Sequence, residues 1–331
     1  MNEINKNCDL GEGINVLSLC DGMSCGQIAL QKANIKVNKY YASEIKEIAK
    51  KVALSNYPNT IHIGNVNNIY YKDGVLHTEN GDFRDDIDLV IFGSPCQTFS
   101  IAMKSEMRIG LENKEKSGLF IQCHRILNEV SPKYFLMENV ERMKKDDEDF
   151  ISMLLGVNPL RINSKLVSAQ LRGRLYWTNI PGIIAPETMN VKLQDILECG
   201  YTDRDKARAL LVSDSRPLTT PVKMFHRYHS TGFTTLIFKS EEHKNACIEY
   251  YEKHYKGMKG SDIPDNETTV FDGVRYMSQW ELERCQTVPE GYTSCLNRNE
   301  AADVLGDGWT IDVIAHILKG LLIDLTFEEG A

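Results

Sequence analysis

The sequence has no apolar run approaching the roughly 18 residues that span a bilayer, which predicts a protein without membrane contact. It has no Cys-x-x-Cys pair, and its nine cysteines are an odd number. With no secretory leader ahead of the first predicted strand, that usage predicts reduced thiols in a cytoplasmic setting and no metal site. Internal repeats and low-complexity tracts are also missing. Positive charge is in short supply: 38 Lys and Arg stand against 46 Asp and Glu, a net charge of −8. Indiscriminate attraction to nucleic acid is thereby excluded, and any polyanion must be met by local basic patches. What is present is length. At 331 residues the chain suffices for one large α/β domain with a second lobe and a sizeable core.

Ile14, Val16, Leu17 and Leu19 predict a buried parallel strand that runs into Asp21-Gly22-Met23-Ser24-Cys25-Gly26 and then a short helix. A second β-α unit follows, with Tyr40-Tyr41-Ala42-Ser43 as its strand. Its helical face is Ile45, Ile48, Ala49, Val52 and Ala53, stopped by Pro58. Ile61-His62-Ile63 and Leu89-Val90-Ile91-Phe92 predict two more strands, and 98–116 has no period. Leu119, Phe120, Cys123, Ile126, Leu127 and Val130 resume a helical face before a strand over Tyr134-Phe135-Leu136-Met137, with Glu138 just past it. From about 180 to 270 the rhythm fails, broken by Pro181, Pro186, Pro217 and Pro221. It returns near Val313 to Leu318 as a closing helix, with Leu321-Leu322 as a closing strand.

This alternation predicts an α/β fold: a mainly parallel sheet with helices on both faces, whose ligands bind beyond the carboxyl ends of the strands. Asp21, Glu44, Cys96 and Glu138 all fall at such ends. Cys96 follows a strand and a Gly93-Ser94-Pro95 turn, which presents its thiol over the sheet edge, whereas free cysteines are otherwise mostly packing residues. The glycine turn with Glu44 twenty-two positions beyond Gly22 suits a nucleoside, the carboxylate accepting from ribose hydroxyls. It is not G-x-G-x-x-G and has no basic residue nearby for a pyrophosphate, so a nucleoside without phosphates, such as S-adenosylmethionine, fits better than a dinucleotide. Between 160 and 179 there are four basic residues and no acidic ones; Arg172 and Arg174, two apart on a predicted strand, are expected to share a face.

Together these residues resemble a DNA (cytosine-5) methyltransferase from Ile14 to about Leu322. Asp21-Gly22-Met23-Ser24-Cys25-Gly26 resembles the family's cofactor loop, Gly93-Ser94-Pro95-Cys96-Gln97 its nucleophile loop, and Glu138-Asn139-Val140 its carboxylate motif. Gln170-Leu171-Arg172-Gly173-Arg174 resembles its arginine motif, while Arg216-Pro217-Leu218-Thr219-Thr220 and Gly306-Asp307-Gly308-Trp309-Thr310 resemble the two later ones. Val167-Ser168-Ala169 and Tyr176-Trp177-Thr178-Asn179 are similar to the de novo type of the family. The resemblance implies a Rossmann-like S-adenosylmethionine-dependent methyltransferase fold: a catalytic domain over 1–184 and 270–331 and a small, irregular target-recognition lobe over 185–269.

It implies a catalytic set of Cys96, Gln97, Glu138, Arg172 and Arg174. Cys96 adds to C6 of cytosine, Glu138 holds N3 protonated, Arg174 pins O2, and Arg172 supports the loop or a phosphate. Cofactor contacts are implied for Cys20, Asp21, Gly22, Met23, Cys25, Gly26, Glu44, Ile45, Asn65, Val66, Pro95, Trp309 and Thr310. Two positions depart from the family: Cys20 stands where phenylalanine is usual, and Asn65 where aspartate often accepts from the adenine amino group. Because the thiolate must approach the ring face, the target base has to be flipped out. The 98–116 segment is then a loop closing over it, with Ser100, Lys104 and Arg108 near phosphate or base. In the smaller lobe, 222–259 carries seven Lys or Arg and four Asp or Glu. Lys223, His226, Arg227, Tyr228 and His229 are its densest cluster for DNA, whereas Cys247, Ile248, Tyr251, Tyr255 and Met258 repeat at helical spacing and are expected to pack.

The expected partner is double-stranded DNA, with a cognate restriction endonuclease as a candidate partner, the enzyme monomeric and associated with the nucleoid. The competing readings are an RNA cytosine-5 methyltransferase with the same catalytic set, a non-catalytic subunit that holds cofactor or DNA, and a nicotinamide-dependent oxidoreductase.

Overall fold

The computed structural model describes residues 13–94, 118–210, 218, 220–232, 234–264 and 268–323. Pro95, Cys96, Gln97, Ser100, Lys104 and Arg108 lie outside them, as does the rest of 98–116. By contact the chain forms two compact units: Met1–Asn163, Gly173–Pro186 and Ile311–Ala331 make the first, and Ser164–Arg172 with Glu187–Thr310 the second.

In the first unit, β1 (Ile14–Leu19) leads through a glycine turn to α1 (Cys25–Lys32), then β2 (Val37–Ser43), α2 (Glu47–Asn56) and β3 (Ile61–His62). A small antiparallel sheet follows, made of β4 (Tyr70–Lys72), β5 (Val75–Thr78) and β6 (Gly81–Phe83). The main chain resumes with β7 (Leu89–Gly93), α3 (Gly118–Val130), β8 (Tyr134–Val140), α4 (Lys145–Leu155) and β9 (Leu160–Asn163). In the second unit, β10 (Gln170–Leu171) precedes the break at Arg172; β11 (Gly173–Thr178) then returns to the first. The second unit continues with β12 (Ala207–Arg208), α5 (Pro221–Thr231), α6 (Glu241–His254), α7 (Gln279–Cys285) and α8 (Arg298–Asp307), and α9 (Ile311–Leu318) closes the first.

The main sheet among the described residues has the order β3-β2-β1-β7-β8-β11-β9, parallel from β3 to β8 and antiparallel where β11 joins β8 and β9. The strand order reverses between β1 and β7, so a crevice is expected at the carboxyl ends of these strands. Strands buried on both faces read as continuous apolar runs, and β7 and β8 are buried almost throughout. Helix α1 packs close because residue 26 is glycine: a Cβ there would lie 2.2 Å from Ile91 Cδ1 and 2.6 Å from the Tyr40 hydroxyl.

Several expectations need correction. Glu138 lies inside β8 rather than past it, because pairing with β11 extends the strand to Val140. Ile45 precedes α2 and is 67% exposed, so it does not belong to that helix's buried face. Leu321 and Leu322 are helical rather than a strand. The stretch between β3 and β7, left unassigned from sequence, holds the three-stranded sheet. Pro221 starts a helix instead of breaking the pattern: it occupies the first turn of α5, where a missing N–H costs nothing. The second unit thus carries two substantial helices around a core of Phe225, Tyr228, Phe238, Tyr251, Tyr255 and Phe271. By contact this unit extends to residue 310. Arg275 binds the Cys199 carbonyl at 2.7 Å and Glu281, while Glu281 accepts the Glu198 N–H at 2.9 Å, which ties α7 to this unit.

Replacing Gly26 by alanine is expected to lower stability. Both atoms a Cβ would strike belong to buried side chains, so overpacking of roughly 1–3 kcal/mol outweighs the helix-propensity gain of about 1 kcal/mol. A denaturant midpoint at or above the parent's would contradict this.

Candidate active site

The turn after β1 is built from left-handed residues. Cys20, Gly22 and Ser24 have φ of 55°, 61° and 62°, a conformation that disfavours any residue with a Cβ. Asp21 compensates at its centre. Its carboxylate accepts hydrogen bonds from the hydroxyls of Ser18 (2.6 Å), Ser24 (2.5 Å) and Tyr40 (2.7 Å), and its backbone N–H donates to the Ser43 carbonyl at 3.0 Å. Burial pushes the Asp21 carboxyl up to about 6, against the three hydroxyls that pull it down. Met23 and Cys25 are buried beneath the turn. Cys20 packs against the main core, and a hydrogen bond with Cys20, together with burial, raises the thiol of Cys123.

At the end of β2, Glu44 organises the same turn from the other side. One carboxylate oxygen accepts the Gly22 N–H and the other the N–H groups of Ile45 and Lys46, all at 2.7 Å. Past β3, Asn65 caps a 3₁₀ turn over Val66–Asn68, its side-chain oxygen accepting the Asn67 N–H at 3.0 Å, while Val66 points into the core. Asp21–Gly22, Glu44–Ile45 and Gly64–Asn65 therefore terminate three adjacent parallel strands at one sheet edge.

Further along that edge, Gly93 of β7 is in register with Glu138 of β8, and Glu138 with Tyr176 of β11. Arg174, two residues from Tyr176, donates from Nε to Glu138 at 2.6 Å; both side chains are nearly buried. Asn139, fully buried, donates from Nδ2 to the Ser94 hydroxyl at 3.0 Å and accepts the Val140 N–H at 2.8 Å. It thereby fixes the last described residue before Pro95 and Cys96. The sequence assigns Asn139 no task of its own; its place beside a carboxylate on a buried strand is the signal for this one.

Arg172 and Arg174 do not lie on one strand, contrary to the expectation, because β10 ends at Leu171 and β11 begins at Gly173. The strand breaks at Arg172, which turns into the second unit and donates to the carbonyls of Gly306 (3.0 Å) and Gly308 (2.7 Å). It braces the loop that carries Trp309 and Thr310. Thr310 is buried, donating to Gln286 and accepting from Ser164, both at 2.8 Å. Gln286 in turn donates to the Leu305 carbonyl at 2.6 Å and accepts from Gln170 at 3.1 Å.

On α5, Lys223 and Arg227 are four residues apart and half-buried, while Tyr228 enters the core. His226 and His229 are engaged with α6, through the Tyr251 hydroxyl at 2.7 Å and Glu252 at 2.8 Å. Cys247, Tyr251 and Tyr255 pack as expected, whereas Met258 is exposed. No cluster of three or more potential metal ligands occurs among the described residues.

The fold is that of the S-adenosylmethionine-dependent methyltransferases. A crystal structure of the Dnmt2 methyltransferase of S. pombe matches with a TM-score of 0.63 over 94% of this chain and 99% of that chain, at 17% identity. A profile of the C-5 cytosine-specific DNA methylase family matches residues 14–156. The type II methyltransferase M1.ScrFI of Lactococcus lactis subsp. cremoris is 34% identical over 312 residues, 87% of this chain and 72% of that protein. The type II methyltransferase M.NlaIV of Neisseria lactamica is 31% identical over 209 residues, 56% of this chain and 46% of that protein, so the match takes in about half the length of M.NlaIV. The chain belongs to the C-5 cytosine-specific DNA methylase family.

The raised Asp21 carboxyl has a thermodynamic consequence. The folded chain holds a proton there up to about pH 6, whereas the unfolded chain releases it near 3.8, so this contribution to stability is full below about pH 4 and lost as the pH rises through 6. Asp21→Asn should flatten the stability profile between those limits. An unchanged slope in urea titrations across that window would show that Asp21 does not titrate there.

Proposed function

We propose that the protein transfers a methyl group from S-adenosylmethionine to C5 of cytosine in double-stranded DNA, through a transient bond between Cys96 and C6 of an extruded base. The observation that supports this best is the Glu138–Arg174 pair on β8 and β11, in register with the strand that leads to Cys96. Cytosine C5 is a poor nucleophile until the ring gains electron density. Addition of the Cys96 thiolate at C6 supplies it: an S–C6 bond forms, the C5–C6 π pair shifts to C4–C5 and the C4–N3 π pair to N3, and N3 takes up a proton from water that the Glu138 carboxylate holds there by accepting its hydrogen bond. Arg174 binds O2 as charge develops there. Once C5 is methylated, loss of its proton and departure of the thiolate restore aromaticity.

The strand-end residues fit an adenosine-type ligand. Gly22 allows close backbone approach, Glu44 brings a carboxylate to the end of the second strand as the β-α nucleoside pattern requires, Ile45 is an exposed apolar surface for an aromatic base, and Asn65 brings a side-chain oxygen. When bound, S-adenosylmethionine supplies an electrophilic methyl group on a sulfonium. Cys20, Met23, Cys25, Gly26, Val66 and Pro95 complete the walls or support of that site in this reading.

Lys223 and Arg227 contact DNA phosphates, a cognate endonuclease is a candidate partner, and the enzyme acts as a monomer on nucleoid DNA.

Cys96→Ala is expected to abolish methyl transfer while DNA binding by gel shift persists, and Glu138→Gln to slow turnover by about 10²- to 10⁴-fold without unfolding. Duplex DNA carrying 5-fluorocytosine at the recognised site should become covalently attached in the presence of the methyl donor. Normal turnover by Cys96→Ala would reject the nucleophile, and labelled-methyl transfer to structured RNA but not to duplex DNA would reassign the substrate.

A further inference from the structure

The β5–β6 hairpin is absent from every role given above, yet its tip lands on the turn after β3. Thr78 and Gly81 are paired across it, leaving Glu79 and Asn80 as a two-residue turn. Glu79 is exposed, but its carboxylate is not idle. One oxygen accepts the Asn65 N–H at 2.8 Å, and the other accepts the side-chain amide of Asn68. Asn80 donates from Nδ2 to the His62 carbonyl at 2.8 Å. The hairpin therefore grips the carboxyl end of β3 at His62, Asn65 and Asn68.

The gripped segment is one that needs holding. Gly64 has φ of +85°, a hinge open to glycine alone at little cost, and its missing Cβ leaves the space Glu79 occupies: a Cβ there would lie 2.1 Å from the Glu79 carboxylate. The Gly64 carbonyl of the same peptide accepts from the Ser43 hydroxyl at 2.9 Å, so the Glu79 contact on the Asn65 N–H is the second of two holds on the turn that carries the Asn65 side chain, and losing it loosens that turn. The hairpin itself is anchored well away from its tip. Leu76 is fully buried, and the Phe83 ring lies 5.0 Å from that of Tyr41. A rigid lever with a charged, hydrogen-bonded tip is a means of fixing a turn, not a surface ornament.

We propose that Glu79 is a positioning residue for the cofactor site, holding the Gly64–Asn65 turn in the orientation that presents Asn65 to the adenine ring, with Asn80 steadying the strand end beneath it. This rests on the proposed placement of adenine at Asn65. Glu79 touches no reacting atom and acts through the Asn65 backbone.

The test compares Asn65→Ala, Glu79→Ala and Glu79→Gln in the full-length protein, with S-adenosylhomocysteine binding measured by calorimetry and turnover at saturating cofactor. Glu79→Ala is expected to weaken S-adenosylhomocysteine binding about fivefold or more and raise KM for the methyl donor. It should leave kcat, KM for DNA and the melting temperature near parent values. Glu79→Gln, which keeps an acceptor for the Asn65 N–H, should recover much of the affinity. If Asn65→Ala weakens binding and Glu79→Ala does not, the hairpin's role is overturned while the adenine placement stands. If Asn65→Ala leaves binding unchanged, both are overturned. A Glu79→Ala defect that appears equally in kcat or in thermal stability would overturn a positioning role in favour of a general structural one.

Discussion

The register of one buried strand governs the proposed reaction centre. In β8, Glu138 is opposite Gly93 on one side and Tyr176 on the other, and successive strand residues point to opposite faces. That alternation gives Glu138 to the Arg174 guanidinium and Asn139 to the Ser94 hydroxyl. A slip of one residue would exchange the two side chains and lose both contacts at once. All seven residues of β8 are buried, so the slip would also misplace its apolar partners, and the core enforces what the site needs. A nearly buried ion pair adds little net stability, but losing one partner strands a charge at a cost of about 3–5 kcal/mol. The pair is thus better understood as a fixture for polar groups than as a source of stability.

The cofactor turn is arranged by two carboxylates used in different ways. Asp21 is sunk among three hydroxyls, and its desolvation shows in the raised carboxyl. Glu44 is half-exposed and holds three backbone N–H groups. Between them they hold a chain with three left-handed residues in five, which would otherwise relax. The ordering is done before any ligand arrives, which lowers the entropy that binding has to overcome.

Much of this was legible in the sequence for a physical reason: parallel strands covered on both faces need continuous apolar runs, and Leu89 to Phe92 or Tyr134 to Met137 allow few other readings. What was illegible depends on partners distant in the chain. Nothing local says that β8 continues through Glu138, because β11 supplies the pairing. Nothing local separates Arg172 from Arg174, because the Gly306 and Gly308 carbonyls that draw Arg172 away lie more than a hundred residues on. Pro221 was misread through its commoner role as a breaker, although a first-turn proline is equally consistent with a helix start. Asp73-Gly74, the two-residue turn between β4 and β5, has positive φ at both residues and carries the chemistry of a hairpin turn, and that signal could have revealed this sheet. It could not have shown where the β5–β6 tip lands.

The departure at position 65 becomes intelligible once that landing is known. An aspartate there would set a second carboxylate within one residue's span of Glu79, which already accepts the backbone N–H of the same residue. In water-exposed surroundings the repulsion is modest, about 1 kcal/mol at 4 Å, but it acts directly on the orientation of the side chain proposed to face the adenine. Asparagine removes the like charge and keeps an oxygen that caps the Asn67 N–H. Negative charge at this strand end is then held by the hairpin instead of the turn, and Asn65 and Glu79 form a matched pair rather than a defect with a neighbour.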